Sequence, residues 1–162
     1  MPVGMAMAAL QRGDEPTVNA GEAEQLTKKG FEAVAAGNSG AAVALFRQAM
    51  TADPQNPQIP ILVGVELVRR GEAEAAVDLL APVAQSFPSS PRFHQTLGLA
   101  FYRASNYRAA QSSLQHALRL DNTHALSYFL LGSTLAKLGE REAAAKHFDQ
   151  ARALDPKFDL RR

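Results

Sequence analysis

The sequence predicts an all-α protein assembled from four helix–turn–helix repeats of 34 residues. Three observations carry this. Gly30, Gly64, Gly98 and Gly132 stand 34 residues apart. Ala42, Ala76, Ala110 and Ala144 keep that interval, and so do Phe46, Leu80, Leu114 and Phe148. Pro54, Pro88, Asn122 and Pro156 punctuate at the same period. Columns in register without an insertion mark a repeat architecture. One unit cannot bury its apolar side alone, and stacked neighbours build a continuous core. The repeats fall at about 23–56, 57–90, 91–124 and 125–158, with an arm at 1–22 and a tail at 159–162.

Composition narrows the function. The chain has 162 residues, 46% hydrophobic and 20% charged, as expected of a soluble globular domain. Lys and Arg number 17 against 16 Asp and Glu, a net charge of +1. That balance speaks against a general polyanion binder, so no nucleic-acid partner is expected. The absence of Cys excludes a disulfide framework, thiolate metal sites and a Cys nucleophile. No apolar run approaches the roughly 18 residues that cross a bilayer.

In the first repeat, Leu26, Lys29, Gly30 and Ala33 mark the first helix, Gly37-Asn38 the turn, and Ala42 and Phe46 the second helix, which stops at Asp53-Pro54. Pro57 opens the second repeat, where a missing N–H costs nothing. Val63, Gly64 and Leu67 follow, then Gly71-Glu72, Ala76 and Leu80, up to Phe87-Pro88. Pro82 lies inside that second helix, removes a hydrogen bond to the Asp78 carbonyl, and predicts a kink. Pro91 opens the third repeat. Leu97, Gly98 and Phe101, then Ala110, Leu114, Ala117 and Leu118, keep helical spacing on either side of Ser105-Asn106. The fourth repeat has Tyr128, Leu131, Gly132 and Leu135, the turn Gly139-Glu140, then Ala144, Phe148 and the stop at Asp155-Pro156. Each turn pairs a residue tolerant of left-handed geometry with a polar residue that opens the next helix.

This pattern resembles the tetratricopeptide repeat, W-x2-L-G-x2-Y, A-x3-F, P. His94 replaces the first aromatic of the third unit, Pro60 that of the second, and Asn122 one proline. The resemblance implies a right-handed superhelix whose first helices line a concave groove, and protein or peptide binding without chemistry of its own. Its inward positions, carried onto this sequence, are Thr27, Phe31, Val34 and Ala35; Ile61, Val65, Val68 and Arg69; Gln95, Leu99, Tyr102 and Arg103; and Phe129, Ser133, Ala136 and Lys137. Most of these are apolar, whereas a solvated helix face is polar. Two explanations stay open: a ligand surface, or packing between adjacent first helices, above all by Val34, Val68 and Tyr102. Arg69, Arg103 and Lys137, with Arg92 nearby, read either as a solvated face or as a cationic wall that steers an acidic partner. The carboxylate clamp of some family members is not expected, because its places hold Thr27, Phe31 and Leu62.

Residues 1–10 are apolar and Met-rich. No basic start precedes them, so a secretory signal is not recognised and a cytoplasmic location is expected. This stretch either frays or forms a short helix that competes for the groove. At the other end, Arg152 and Asp149 stand where earlier repeats carry Leu118 and Gln115, a polar turn that suits a terminal cap. A dimer interface or a continuing solenoid are the alternatives there, and residues 157–162 look too short to form a solvating helix.

No enzyme signal, cofactor site or metal site is recognised: His94, His116, His124 and His147 lack ligand spacing, and His94 reads as a core residue. The function expected is a non-catalytic adaptor binding an apolar, partly acidic peptide or amphipathic helix. A self-associating module that forms a homo-oligomer through its end faces and arm, and a chaperone-like holder of secreted or membrane subunits, are the alternatives.

Overall fold

The structure, a computed structural model, describes residues 19–159. Among these residues it contains eight α-helices, two 3-10 segments and no strand. The apolar stretch at 1–10, and with it both alternatives for its behaviour, lies outside the described residues. The chain divides into two compact units between Asn56 and Pro57.

The first unit is the hairpin of α1 (Ala20–Ala35) and α2 (Ser39–Ala52). Asn19 caps α1. Its Oδ1 accepts from the Glu22 N–H at 3.1 Å, and its Nδ2 donates to the Glu22 carboxylate at 3.0 Å. This reciprocal cap starts the helix inside the segment assigned above to the arm. The Asn19 N–H also donates to the Ala52 carbonyl at 2.8 Å, which joins the two ends of the hairpin. Ala23, Val34, Ala42, Phe46 and Ala49 are buried. Gly30 is required for close approach, because a Cβ there would stand 2.3 Å from Phe46 Cε1.

The second unit holds α3 (Gln58–Arg69), α4 (Ala73–Leu80), α5 (Pro91–Arg103), α6 (Tyr107–Leu120), α7 (Ala125–Lys137) and α8 (Arg141–Leu154). Successive helices pair as α3/α4, α5/α6 and α7/α8. Each pair also stacks on the next, with α5 against α3 and α4, and α7 against α6 and α5. Leu114, Leu130, Leu131, Leu135 and Ala144 form one buried cluster across the last two pairs.

All four turns use the same device. At the first, the Gly37 N–H donates to the Val34 carbonyl and the Asn38 N–H to that of Ala33. The same two bonds recur at Gly71-Glu72, Ser105-Asn106 and Gly139-Glu140, so each first helix ends in a Schellman motif. The first residue of each turn is left-handed, with φ of 77°, 83°, 60° and 84° along the chain. Only Ser105 makes that conformation with a Cβ. Ser105→Gly is therefore expected to raise stability by roughly 0.5–1 kcal/mol, the strain relieved less the added unfolded-state freedom. Thermal unfolding checks it, and an unchanged or lower midpoint contradicts it.

One expectation needs correction. The second helix of the second repeat does not run through Pro82 with a kink. The α-helix stops at Leu80, and Ala81–Ser86 continues as a 3-10 segment. Proline offers no N–H to the carbonyl four residues back, and its ring crowds that carbonyl, so the chain tightens to i→i+3 pairing. After α8, no further α-helix forms among the described residues. The 3-10 turn Pro156–Phe158 lays Phe158 on Phe129, with ring centres 5.1 Å apart. Arg152 reaches Asp159 at 3.9 Å and also pairs with Asp149.

Candidate functional site

The side chains assigned to the groove separate into three groups. Val34, Ile61 and Val68 are core residues, exposed by only 1%, 3% and 8%. Their assignment as ligand contacts is corrected. They lie on the stripe that meets neighbouring helices, one step round from the open face, where an aliphatic side chain is sealed. Thr27 is buried too, and its hydroxyl donates to the Ala23 carbonyl.

A second group is half-buried and already partnered. Phe31 meets Phe46 edge-on at 5.1 Å. Leu99 packs on the Leu114–Leu131 cluster. Tyr102 lies 5.7 Å from the Tyr107 ring. Phe129 is held between Phe148 and Phe158. The Ser133 hydroxyl donates to the Phe129 carbonyl at 2.9 Å. Gln95 donates to Ser127 Oγ at 2.7 Å. Leu99 and Tyr102 are each partly exposed.

The third group is exposed. Val65 is 46% exposed, beside Leu62 at 51%. Three residues apart, they share one side of α3. Leu62, named above only as a place of the carboxylate clamp, is open, whereas its counterparts one and two repeats on, Thr96 and Leu130, are buried. Arg69, Arg92, Arg103 and Lys137 are all exposed. Arg69 is not an open cation. Its Nε and a terminal nitrogen donate to both oxygens of Glu66, at 2.8 and 2.6 Å. That hydrogen bond holds the Glu66 carboxyl below its ordinary pKa and the Arg69 guanidinium above its own. Among the described residues, no acidic side chain pairs with Arg92, Arg103 or Lys137.

In the second unit, α3 thus carries the exposed apolar pair Leu62 and Val65, α5 the half-buried Leu99 and Tyr102 with exposed Arg92 and Arg103, and α7 the exposed Lys137. Among the described residues no three potential metal ligands converge, and no helix is long and apolar enough to cross a membrane.

Stacked helical hairpins with a partly open first-helix face define a helical-repeat protein-interaction module. The chain belongs to the tetratricopeptide repeat family: two models described by that name match residues 33–99 and 96–157. Solved structures share the fold. MamA residues 41 to the end from Desulfovibrio magneticus RS-1 is 22% identical with a TM-score of 0.66, over 94% of this chain and 81% of that one. A thermophilic tetratricopeptide protein of Thermus thermophilus, TTC0263, is 23% identical with a TM-score of 0.61, over 84% and 77%. A further MamA crystal structure is 22% identical with a TM-score of 0.70, over 85% and 75%. No curated protein sequence matches the chain. Members of this class generally bind other proteins and perform no catalysis.

Proposed function

We propose that the face formed by Leu62 and Val65 on α3 and by Leu99 and Tyr102 on α5 docks an amphipathic helix or extended peptide bearing carboxylates, without chemistry of its own. The observation that carries this is the exposure of Leu62 and Val65 on one side of α3, continued by the open parts of Leu99 and Tyr102. Apolar surface gathered in one place marks interaction sites. Arg103 and Lys137 supply the sign: cations without an acidic partner steer and orient a negatively charged ligand. An amphipathic helix matches both features, with its apolar side on the strip and its acidic side toward these cations. Self-association through the end of the fourth hairpin has less support, because Phe158 packs on Phe129 there and Arg152 pairs with Asp149 and Asp159.

The test uses two amphipathic helical peptides with one apolar face and either an acidic or a basic polar face, titrated by fluorescence anisotropy. The acidic peptide is expected to bind more tightly, and less so at high salt. Val65→Glu/Arg103→Glu, both at exposed positions, is expected to weaken it by at least about tenfold, ~1.4 kcal/mol. Equal binding of both peptides, or unchanged affinity in the variant, contradicts the proposal.

A further inference from the structure

Where the second repeat meets the third, two histidines grip the same piece of backbone. His94, on α5, is 8% exposed and places Nε2 3.1 Å from the Phe87 carbonyl. His116, on α6, places Nε2 2.9 Å from the next carbonyl, that of Pro88. A carbonyl only accepts, so each Nε2 carries a proton. The Arg119 guanidinium, which only donates, lies 3.3 Å from His116 Nδ1, so that nitrogen accepts. The two imidazole rings are 4.1 Å apart. Every contact here fits two neutral rings in one defined tautomer.

We propose that His94 and His116 form an acid-sensitive clasp, which fastens the turn at 87–90 to the third hairpin at neutral pH and releases it on protonation. The turn continues Ala81–Ser86, the segment that Pro82 has deprived of α-helical bonding; within it the Phe87 N–H donates to the Ala84 carbonyl and the Ser90 N–H to the Phe87 carbonyl, and the two imidazoles add to these bonds. A proton added to His116 Nδ1 would face the Arg119 N–H instead of accepting from it. A proton added to His94 would set a cation in a buried site beside the other ring.

The groups acting on His94 agree with this. Burial is the largest cause holding its pKa below the ordinary histidine value. His116 and Arg119, both on α6, add to the depression, and the Phe87 and Pro88 carbonyls oppose it. Among the described residues, α3, α4, α7 and the 3-10 segment contribute no charged group to His94. The sign follows: the unfolded state takes up the proton first, so stability present above about pH 6.5 is lost as pH falls below it. His147, also held low by burial, lies on α8, so the test must read the turn itself.

Amide hydrogen exchange of the full chain, corrected for intrinsic rates, is measured at pH 7.5 and 5.0. The wild type is expected to lose protection across 81–90 at pH 5.0, while α2, which has no histidine, keeps its own. His94→Gln/His116→Gln places a non-titrating amide N–H near each Nε2 position and is expected to keep protection at both pH values. Protection unchanged at pH 5.0 in the wild type, or lost equally in the double variant, overturns the clasp. If the double variant does not fold, imidazole nitrogen NMR of the wild type decides. Both rings as Nε2–H tautomers at pH 7.5, with protonation and the loss of protection at 81–90 occurring together, sustain the proposal. Another tautomer, or protonation without that loss, overturns it.

Discussion

Phe93→Ala is expected to remove about 3–5 kcal/mol of stability, the range for deleting a fully buried phenylalanine. Phe93 is 0% exposed, and its ring lies 5.1 Å from Phe87 and 5.5 Å from His94. It joins α5 to the end of the 3-10 segment, where backbone pairing is poorest. The substitution loses the transfer energy of the ring and leaves a cavity. A domain of this size is stable by only about 5–15 kcal/mol, so the variant should unfold at much lower urea. Phe93→Leu, which keeps most of the volume, should cost less than about 1.5 kcal/mol. Equal urea midpoints for the two variants would contradict this assignment.

Gly98→Ala tests the close-approach column. Helix propensity alone favours alanine by about 1 kcal/mol. Packing opposes it: the new Cβ would stand 2.6 Å from Leu114 Cγ and 3.4 Å from the Leu114 nitrogen. Leu114 is 0% exposed and lies in the buried cluster, so it has no room to retreat. Overpacking is expected to win, with a net loss of about 1–3 kcal/mol. Gly40, in α2, would have nothing within 4 Å of a Cβ. Gly40→Ala should therefore gain roughly 0.5–1 kcal/mol. The opposite signs separate packing from propensity, and equal signs in thermal unfolding would refute the argument.

The helices and turns were legible in the sequence because geometry imposes the columns. A glycine must stand where Leu114 or Phe46 crosses, and a left-handed residue must end each first helix. The surface was less legible. On a helix, the stripe that meets a neighbour and the stripe that meets solvent differ by one residue. Val34, Ile61 and Val68 fell to the buried side of that line and Val65 to the open side. Leu62 entered only as a place of the carboxylate clamp, and its exposure is not shared by its counterparts Thr96 and Leu130. Phe158 could have been found: it stands 34 residues after His124, and Gln95 with His124 is the same pair as Phe129 with Phe158, one repeat earlier. Pro82 announced a disturbance, but proline alone does not distinguish a kink from a change to 3-10 winding. The histidine clasp was hidden because His94 and His116 share no motif. Only the fold brings them to one turn.

The most direct test of the interaction face is methyl and aromatic NMR mapping with the acidic amphipathic peptide. The largest shifts are expected at Leu62, Val65, Leu99 and Tyr102, with Val34, Ile61 and Val68 little changed. Shifts centred on α4, α6 and α8 instead, with Val65 and Leu99 unmoved, would show that the protein binds through another surface.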